Sequence, residues 1–480
     1  MAVISLIFHL FVFCTGYGIS FIPPGRFTLF FALFGSIVGG FALSALLQSY
    51  TEMLSSYYRS KATLTFFVGL MVLSSAVSPL IISVSPFSVA HIPPWNDALD
   101  HKVKLGERVG TSGGYDLNLI SNVWQSGGGS VESMYMLNEF AYTFWYYVLY
   151  KKDIRYLPYF SRNYNVRYFF EMLKGLKKTD IPGLYEFPNF KSSIVEIVPK
   201  RALLIFHVGS KSHYSYLFTS IALSEDTVPI IIDGGEYLED FTSEDLKHFD
   251  LIYISDILVR NENAYVSLID SYLRNGGVVL FDMGDIPSML PSKVADLIPV
   301  RGTIKEISNL KLKFSSALGD IKYSPFKDVK AAQILFAKEL KDGAEIIVWD
   351  ENNNPLMVRM KKYNGWIIWS GMSLPYQIMR IEDPEGAHLL VYLMRFFTSH
   401  TSTSTREIRS GDLKILSTDE YEVDLSGLSV DDAVWFKMTY YPGWEAIIKD
   451  TGERLKIFLA GPHTMLVFPQ RSSTLKTDSY

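Results

Sequence analysis

Four apolar runs in the middle of the chain each stop at residues whose types can do chemistry. Residues 202–206 lead into His207-Val-Gly-Ser-Lys-Ser-His213, and 228–232 lead into Asp233-Gly-Gly-Glu236. Residues 251–254 lead into Ser255-Asp256, and 278–281 into Asp282-Met-Gly-Asp285. If the runs are strands of a parallel sheet, these stops lie at its carboxyl edge, where open α/β sheets bind ligands. His207, Ser210, Asp233, Asp256, Asp282 and Asp285 are therefore candidate binding residues. Carboxylates and imidazole there would hold a divalent cation or hydrogen-bond sugar hydroxyls. Asp and Gly at such places also serve as turn residues and helix N-caps. The seventh candidate is Trp444, in the turn Pro442-Gly443-Trp444. It is either a hydrophobic plug or an aromatic face for a carbohydrate or a membrane.

Other chemistries lack their residues. Gly209-Ser-Lys-Ser212 misses the phosphate-loop pattern, and no H-E-x-x-H occurs. Gly35-Ser-Ile-Val-Gly39 falls in an apolar stretch rather than after a strand, and its serine is not at the centre that a nucleophile elbow needs. Cys14 is the only cysteine, which excludes a disulfide framework and a cysteine zinc site. No catalytic residue is assigned, and no cofactor beyond a divalent cation.

The elements that must position these residues follow from hydropathy. Continuous apolar strands alternate with helical stretches at 242–248 and 264–274, which predicts a doubly wound α/β domain over 200–400. Residues 356–361 and 366–369 flank Asn364-Gly365, a hairpin signal. A helix is expected over 384–397, and a Thr/Ser linker over 398–405. Strands near 413–416, 422–425, 433–441, 446–449, 455–458 and 465–468 predict a small β-sandwich within 406–480. Residues 91–199 form an irregular and helical connection. It holds Gln125-Ser-Gly-Gly-Gly-Ser130 and an aromatic stretch at 140–150, read as either a buried amphipathic helix or one lying in a membrane interface.

Charge divides the 480 residues unevenly. The net charge is −5, yet residues 1–96 carry only Arg26, Glu52, Arg59 and Lys61. Apolar runs at 2–22, 27–48 and 64–90 are each long enough to span a bilayer, and the first is alternatively a signal peptide. The expected head is thus a transmembrane region of three helices over 1–90. Arg59 and Lys61 put the second link inside, so the location expected is the cell membrane, multi-pass, with the large C-terminal part extracytoplasmic. The acidic remainder, without a basic run, excludes nucleic acid as a partner.

Several segments carry a resemblance. Gly25-Arg-Phe27, Phe436-Lys-Met-Thr-Tyr-Tyr-Pro-Gly-Trp444 and Ala460-Gly-Pro-His-Thr-Met-Leu466 resemble the C-terminal half of GT-C-type glycosyltransferase-like envelope proteins. Pro229-Ile-Ile-Ile-Asp-Gly-Gly235, Tyr272-Leu-Arg-Asn-Gly-Gly277 and Trp369-Ser-Gly-Met-Ser-Leu-Pro-Tyr376 resemble archaeal multi-pass membrane proteins labelled 6-pyruvoyl-tetrahydropterin-synthase-related. The α/β part is similar to class I glutamine amidotransferase-like domains, but without the cysteine after a strand that such enzymes need. The first link also lacks the acidic residues of the transferase class. The resemblance therefore implies a non-catalytic or partial relative of lipid-linked-sugar glycosyltransferases. Its partners would be the lipid bilayer, a glycan or lipid-linked sugar, and a multi-pass membrane protein. The alternatives are a protein-interaction module without sugar chemistry, and an enzyme using Asp233, Asp282 and Asp285.

Overall fold

The computed structural model describes residues 96–104, 107–111, 124–126, 141–469 and 475–479, with gaps at 171, 189, 191, 201, 225–228, 285–289, 309, 328, 330–331, 400–407 and 418–419. The chain divides into two compact units. Of the first, the helix Asn96–Lys102 is described. All that follows concerns the second.

Its frame is a 13-stranded mixed sheet. In chain order its strands are β1 (Val195–Val198), β2 (Leu204–Val208), β3 (Ile230–Asp233), β4 (Leu251–Ile254), β5 (Val278–Asp282), β6 (Lys313–Phe314) and β7 (Ala344–Trp349). They continue with β8 (Pro355–Lys362), β9 (Gly365–Ser370), β10 (Arg409–Ser410), β11 (Ala433–Thr439), β12 (Phe458–Ala460) and β13 (Thr464–Val467). The spatial order is β6-β7-β8-β9-β5-β4-β2-β3-β12-β13-β11-β1-β10. The central strands β3-β2-β4-β5-β9 are parallel, and every pairing outside them is antiparallel.

Alternate residues of the parallel strands enter different cores, as the period of two requires. Ile205, Ile231, Tyr253 and Leu280 join one cluster with α2 (Lys211–Leu223) and α5 (Pro384–Phe397). Phe206, Ile232, Ile252 and Phe281 join the other with α3 (Glu262–Arg274). Both faces are covered, which is why these strands read as continuous apolar runs. Asn261 caps α3 by accepting from the Asn263 and Ala264 amides. Asp383 caps α5, which has Pro384 in its first turn.

The expected fold class is corrected by this architecture. Among the described residues no helix is long and apolar enough to cross a membrane. The expected anchor, the multi-pass membrane location and the extracytoplasmic placement are therefore without a spanning helix in the described structure. The three spans expected over 1–90 lie outside the described residues. Nor do an amidotransferase-like domain and a separate sandwich stand side by side. The β3 edge is covered by β12, with Leu459 opposite Asp233 and Ala460 opposite Ile232. Strands expected in the sandwich therefore extend the main sheet, removing an open edge that would otherwise pair elsewhere. The remaining C-terminal strands form their own five-stranded sheet, where Tyr421 packs on Phe436 of β11. The aromatic stretch is also irregular: the helix Ala141–Phe144 passes into a π-helical turn, Trp145–Tyr150.

A buried ionic cluster ties the two ends of the unit together. Lys437 on β11 is fully buried and donates to Glu196 on β1, to Ser192 and to the Arg162 carbonyl, at 2.6, 2.6 and 2.8 Å. Arg162, on helix α1 (Leu157–Tyr164), donates to the other Glu196 oxygen at 3.1 Å. Arg108 reaches the Lys437 carbonyl at 2.7 Å. Burial pulls the Lys437 ammonium down to about 7, against the attraction of Glu196 and with the repulsion of Arg162. Burial raises the Glu196 carboxyl, but Lys437 and Arg162 outweigh it and hold the group below its ordinary value.

Candidate functional site

Numbered among themselves, the parallel strands have the order 2-1-3-4-5, so the chain reverses direction across the sheet between β2 and β4. That point, at the carboxyl ends, is where doubly wound sheets open a crevice. Gly209 follows β2 there with φ +152. A Cβ on it would stand 2.2 Å from Ser255 Oγ and 3.1 Å from the Asp256 amide nitrogen. Glycine is required by both the conformation and the close approach. Gly209→Ala is expected to cost more than about 1 kcal/mol, read as a lower midpoint in urea unfolding. An unchanged midpoint would show that the loop relaxes freely.

Beyond Gly209, Ser210 caps α2, accepting from the His213 amide at 3.4 Å. The Asp256 carboxylate closes over the same helix start. It accepts from the Ser210 amide at 2.9 Å and bonds His213 Nδ1 at 2.8 Å. Ser210 Oγ lies 2.8 Å from that same nitrogen. Burial alone would raise Asp256, but the His213 and Ser210 bonds bring it to about 2. The position an anion would take at a helix N-terminus is thus filled by the chain's own carboxylate. The trio is no serine relay. There, the carboxylate and the serine use opposite nitrogens of the imidazole, whereas here both meet Nδ1.

His207 is wholly buried, with Nε2 2.8 Å from Ser255 Oγ and no hydrogen-bond partner for Nδ1. Burial lowers its pKa to about 4, so the ring is neutral at physiological pH. Asp233 accepts from the Gly235 amide at 2.8 Å and bonds His463 Nε2 at 2.7 Å. Burial pushes its carboxyl up, and His463 with the Gly235 amide outweighs this to hold it low. Asp282 is buried and takes donors from Tyr253, Ser370 and the Ser373 and Leu374 amides, at 2.5, 3.0, 2.9 and 3.1 Å. Its carboxyl is raised, since burial exceeds the effect of those donors. The last two amides open α4 (Leu374–Ile381), whose own N-cap residue Ser373 makes no side-chain cap.

The structure therefore brings His207, Ser210, Asp233 and Asp256 to one edge and keeps Asp282 beneath it as a strut. Asp285 lies outside the described residues. Trp444 sits in the C-terminal five-stranded sheet, against Tyr421 at 5.8 Å between ring centres, far in topology from β2. Among the described residues, no three His, Cys, Asp or Glu are grouped to hold a metal ion. Two partners escaped sequence reasoning. His213 had a usable cue, falling three residues after the cap serine on the new helix. His463 had none, lying 230 positions from Asp233.

A cleft of about 400 Å³ lies along α2, lined there by Ser215, Tyr216 and Thr219. The His213 and Tyr216 ring centres are 6.1 Å apart, and Tyr216 meets Tyr376 edge-on at 5.6 Å. Tyr146 and Tyr147 come from the π-helical turn, Tyr216 and Thr219 from α2, and Tyr376 and Arg380 from α4. The four tyrosines are half-buried, and Arg380 is exposed. π-Helical turns recur at functional sites, because the extra residue re-aims side chains.

Comparison with known proteins adds one family match. Residues 227–377 match the model of a domain of unknown function, DUF8560. That span runs from β3 into α4 and includes Asp233, Asp256, Asp282 and Tyr376. No curated protein matches the chain. Among solved structures, the cytoplasmic protein STM3548 from Salmonella typhimurium is 16% identical with a TM-score of 0.30, over 41% of this chain and 98% of that one. The exo-beta-1,4-mannosidase Op5Man5 from Opitutaceae bacterium strain TAV5 is 11% identical with a TM-score of 0.27, over 40% of this chain and 35% of that one. Likenesses this weak fix neither fold nor function.

Proposed function

We propose that this chain binds a glycan without catalysing a reaction on it, and that the tyrosine cleft is the site. The observation that carries the reading is the pairing of an open, four-tyrosine cleft with strand-end carboxylates held by the protein's own donors. Tyrosine rings stack on the C–H faces of sugars, and their hydroxyls hydrogen-bond the rims. Glycoside hydrolysis needs two carboxyl groups flanking the bond, and among the described residues that line the cleft none is acidic.

The test is titration calorimetry of the full chain against soluble oligosaccharides. Tyr376→Ala and Tyr216→Ala are each expected to weaken binding about tenfold, or about 1.4 kcal/mol. Affinity that survives both substitutions, or that disappears instead with Trp444→Ala, would overturn the reading.

A further inference from the structure

We propose that the strand Val300–Ser308 is a dimerisation edge, pairing antiparallel with the same strand of a second copy of this chain. The strand is nine residues long, and among the described residues it pairs on one side only, with Ala332–Leu340. The two strands differ in their surroundings. Ile334 and Phe336 of the inner strand enter one core, and Leu335 and Ala337 the other. The Leu335 amide donates to the Gly371 carbonyl at 2.8 Å, which ties the inner strand to the body. The outer strand starts at buried Val300, and residues 301–307 are all exposed. Ile304 and Ile307 are 44% and 76% exposed, one on each face of the ribbon. A long edge with bare isoleucines and no proline is a template for another strand, which monomeric proteins normally blunt.

The charges along the strand favour its own copy as the occupant. Opposed residues of an antiparallel pair share a face, so a two-fold axis must set one residue opposite itself. The pairing that overlaps the whole strand puts Ile304 on the axis, apolar against apolar. Thr303 then lies opposite the second copy's Lys305, and Arg301 opposite its Ile307. Gly302, at φ +73, brings no side chain against the second copy's Glu306. No like charges are opposed. Sliding the pair one step moves Thr303 or Lys305 to the axis instead. The first sets Arg301 against Lys305 twice, and the second sets Lys305 against itself, and both are unfavourable. The outcome is a four-stranded antiparallel sheet, closed because a two-fold contact uses up the one edge on each copy. One strand edge is small beside a standard interface, so the dissociation constant expected is weak, on the order of 10 μM.

Sedimentation velocity of the full chain, from about 1 to 200 μM, is expected to show a monomer–dimer equilibrium. Ile304→Lys places two ammonium groups face to face on the axis and is expected to weaken the dimer about tenfold. It also separates this edge from any other contact. Thr303→Glu makes two opposite-charge pairs with Lys305 and is expected to tighten the dimer about threefold, while Thr303→Lys is expected to weaken it by a like factor. Both positions are exposed, so the unfolding midpoints of the dilute variants should match that of the parent. A chain that stays monomeric throughout, a dimer indifferent to Ile304→Lys, or equal effects of Thr303→Glu and Thr303→Lys overturns the proposal. Growth beyond two copies overturns it as well, since the contact proposed closes on itself.

Discussion

Glu196→Ala is expected to destabilise the protein by about 3–5 kcal/mol, the range for breaking a buried ion pair from one side. Glu196 is the carboxylate that faces both Arg162 and Lys437, and its removal strands two buried cations. Ser192 also loses an acceptor at 3.0 Å. Lys437→Met should be far milder at pH 7, because Glu196 keeps Arg162 and the buried ammonium is already close to losing its proton. The two substitutions also differ in pH response. Folding lowers the Lys437 pKa from 10.5 to about 7, so between those values the unfolded chain binds the proton that the folded chain has released. This contribution is complete above pH 10.5 and is lost as pH falls through about 7. Stability of the parent chain should therefore rise from pH 7 to pH 9, by up to about 1 kcal/mol per unit from this group. The Lys437→Met chain should lack that component. Urea unfolding at several pH values checks both claims. Equal midpoints for Glu196→Ala and Lys437→Met at pH 7 would show that the cluster is not organised around its carboxylate.

Asp282→Ala is expected to cost about 3 kcal/mol or more, and to disturb the cleft only indirectly, through α4. Four donors lose their acceptor at once, each at a cost of about 1–3 kcal/mol when left buried, partly relieved by relaxation. Two of them are the amides that begin α4, where Ser373 supplies no cap of its own. Hydrogen exchange should show α4 opening well before β2 and β4. Ligand affinity should fall with it, since Tyr376 and Arg380 ride on that helix. If α4 stays protected in Asp282→Ala, the carboxylate is not what holds the helix start.

The parallel strands were legible because a strand covered on both faces must be apolar at every position, and that pattern is local. The helix Pro384–Phe397 was legible for a similar reason: Asp383 and Pro384 mark its start. The hairpin was legible apart from one residue of register. Lys362 pairs with Gly365, so the two-residue loop is Tyr363-Asn364, with Tyr363 at φ +55. What stayed hidden depends on partners distant in sequence. Nothing near Asp233 announces that β12 will cover its strand or that His463 will take its carboxylate. The cleft was hidden differently. Its tyrosines come from three segments, and two of them are aimed by a π-helical turn that leaves no mark in an apolar repeat. The candidate aspartates were visible as residues, but whether a carboxylate faces a ligand or a backbone amide is decided only by the packing.

The position of β1 has a consequence for how this chain is made. Glu196 and Lys437, on neighbouring strands of the finished sheet, lie 241 positions apart. At a synthesis rate of about 5–20 residues per second, β1 leaves the ribosome roughly 10–50 s before β11. Throughout that interval Val195, Ile197 and Val198, all buried in the native protein, have no β11 to pair with. A chain stopped within 400–407 would keep β1 in that state permanently. Its failure would be seen as aggregation or chaperone retention, and not as loss of one separable domain.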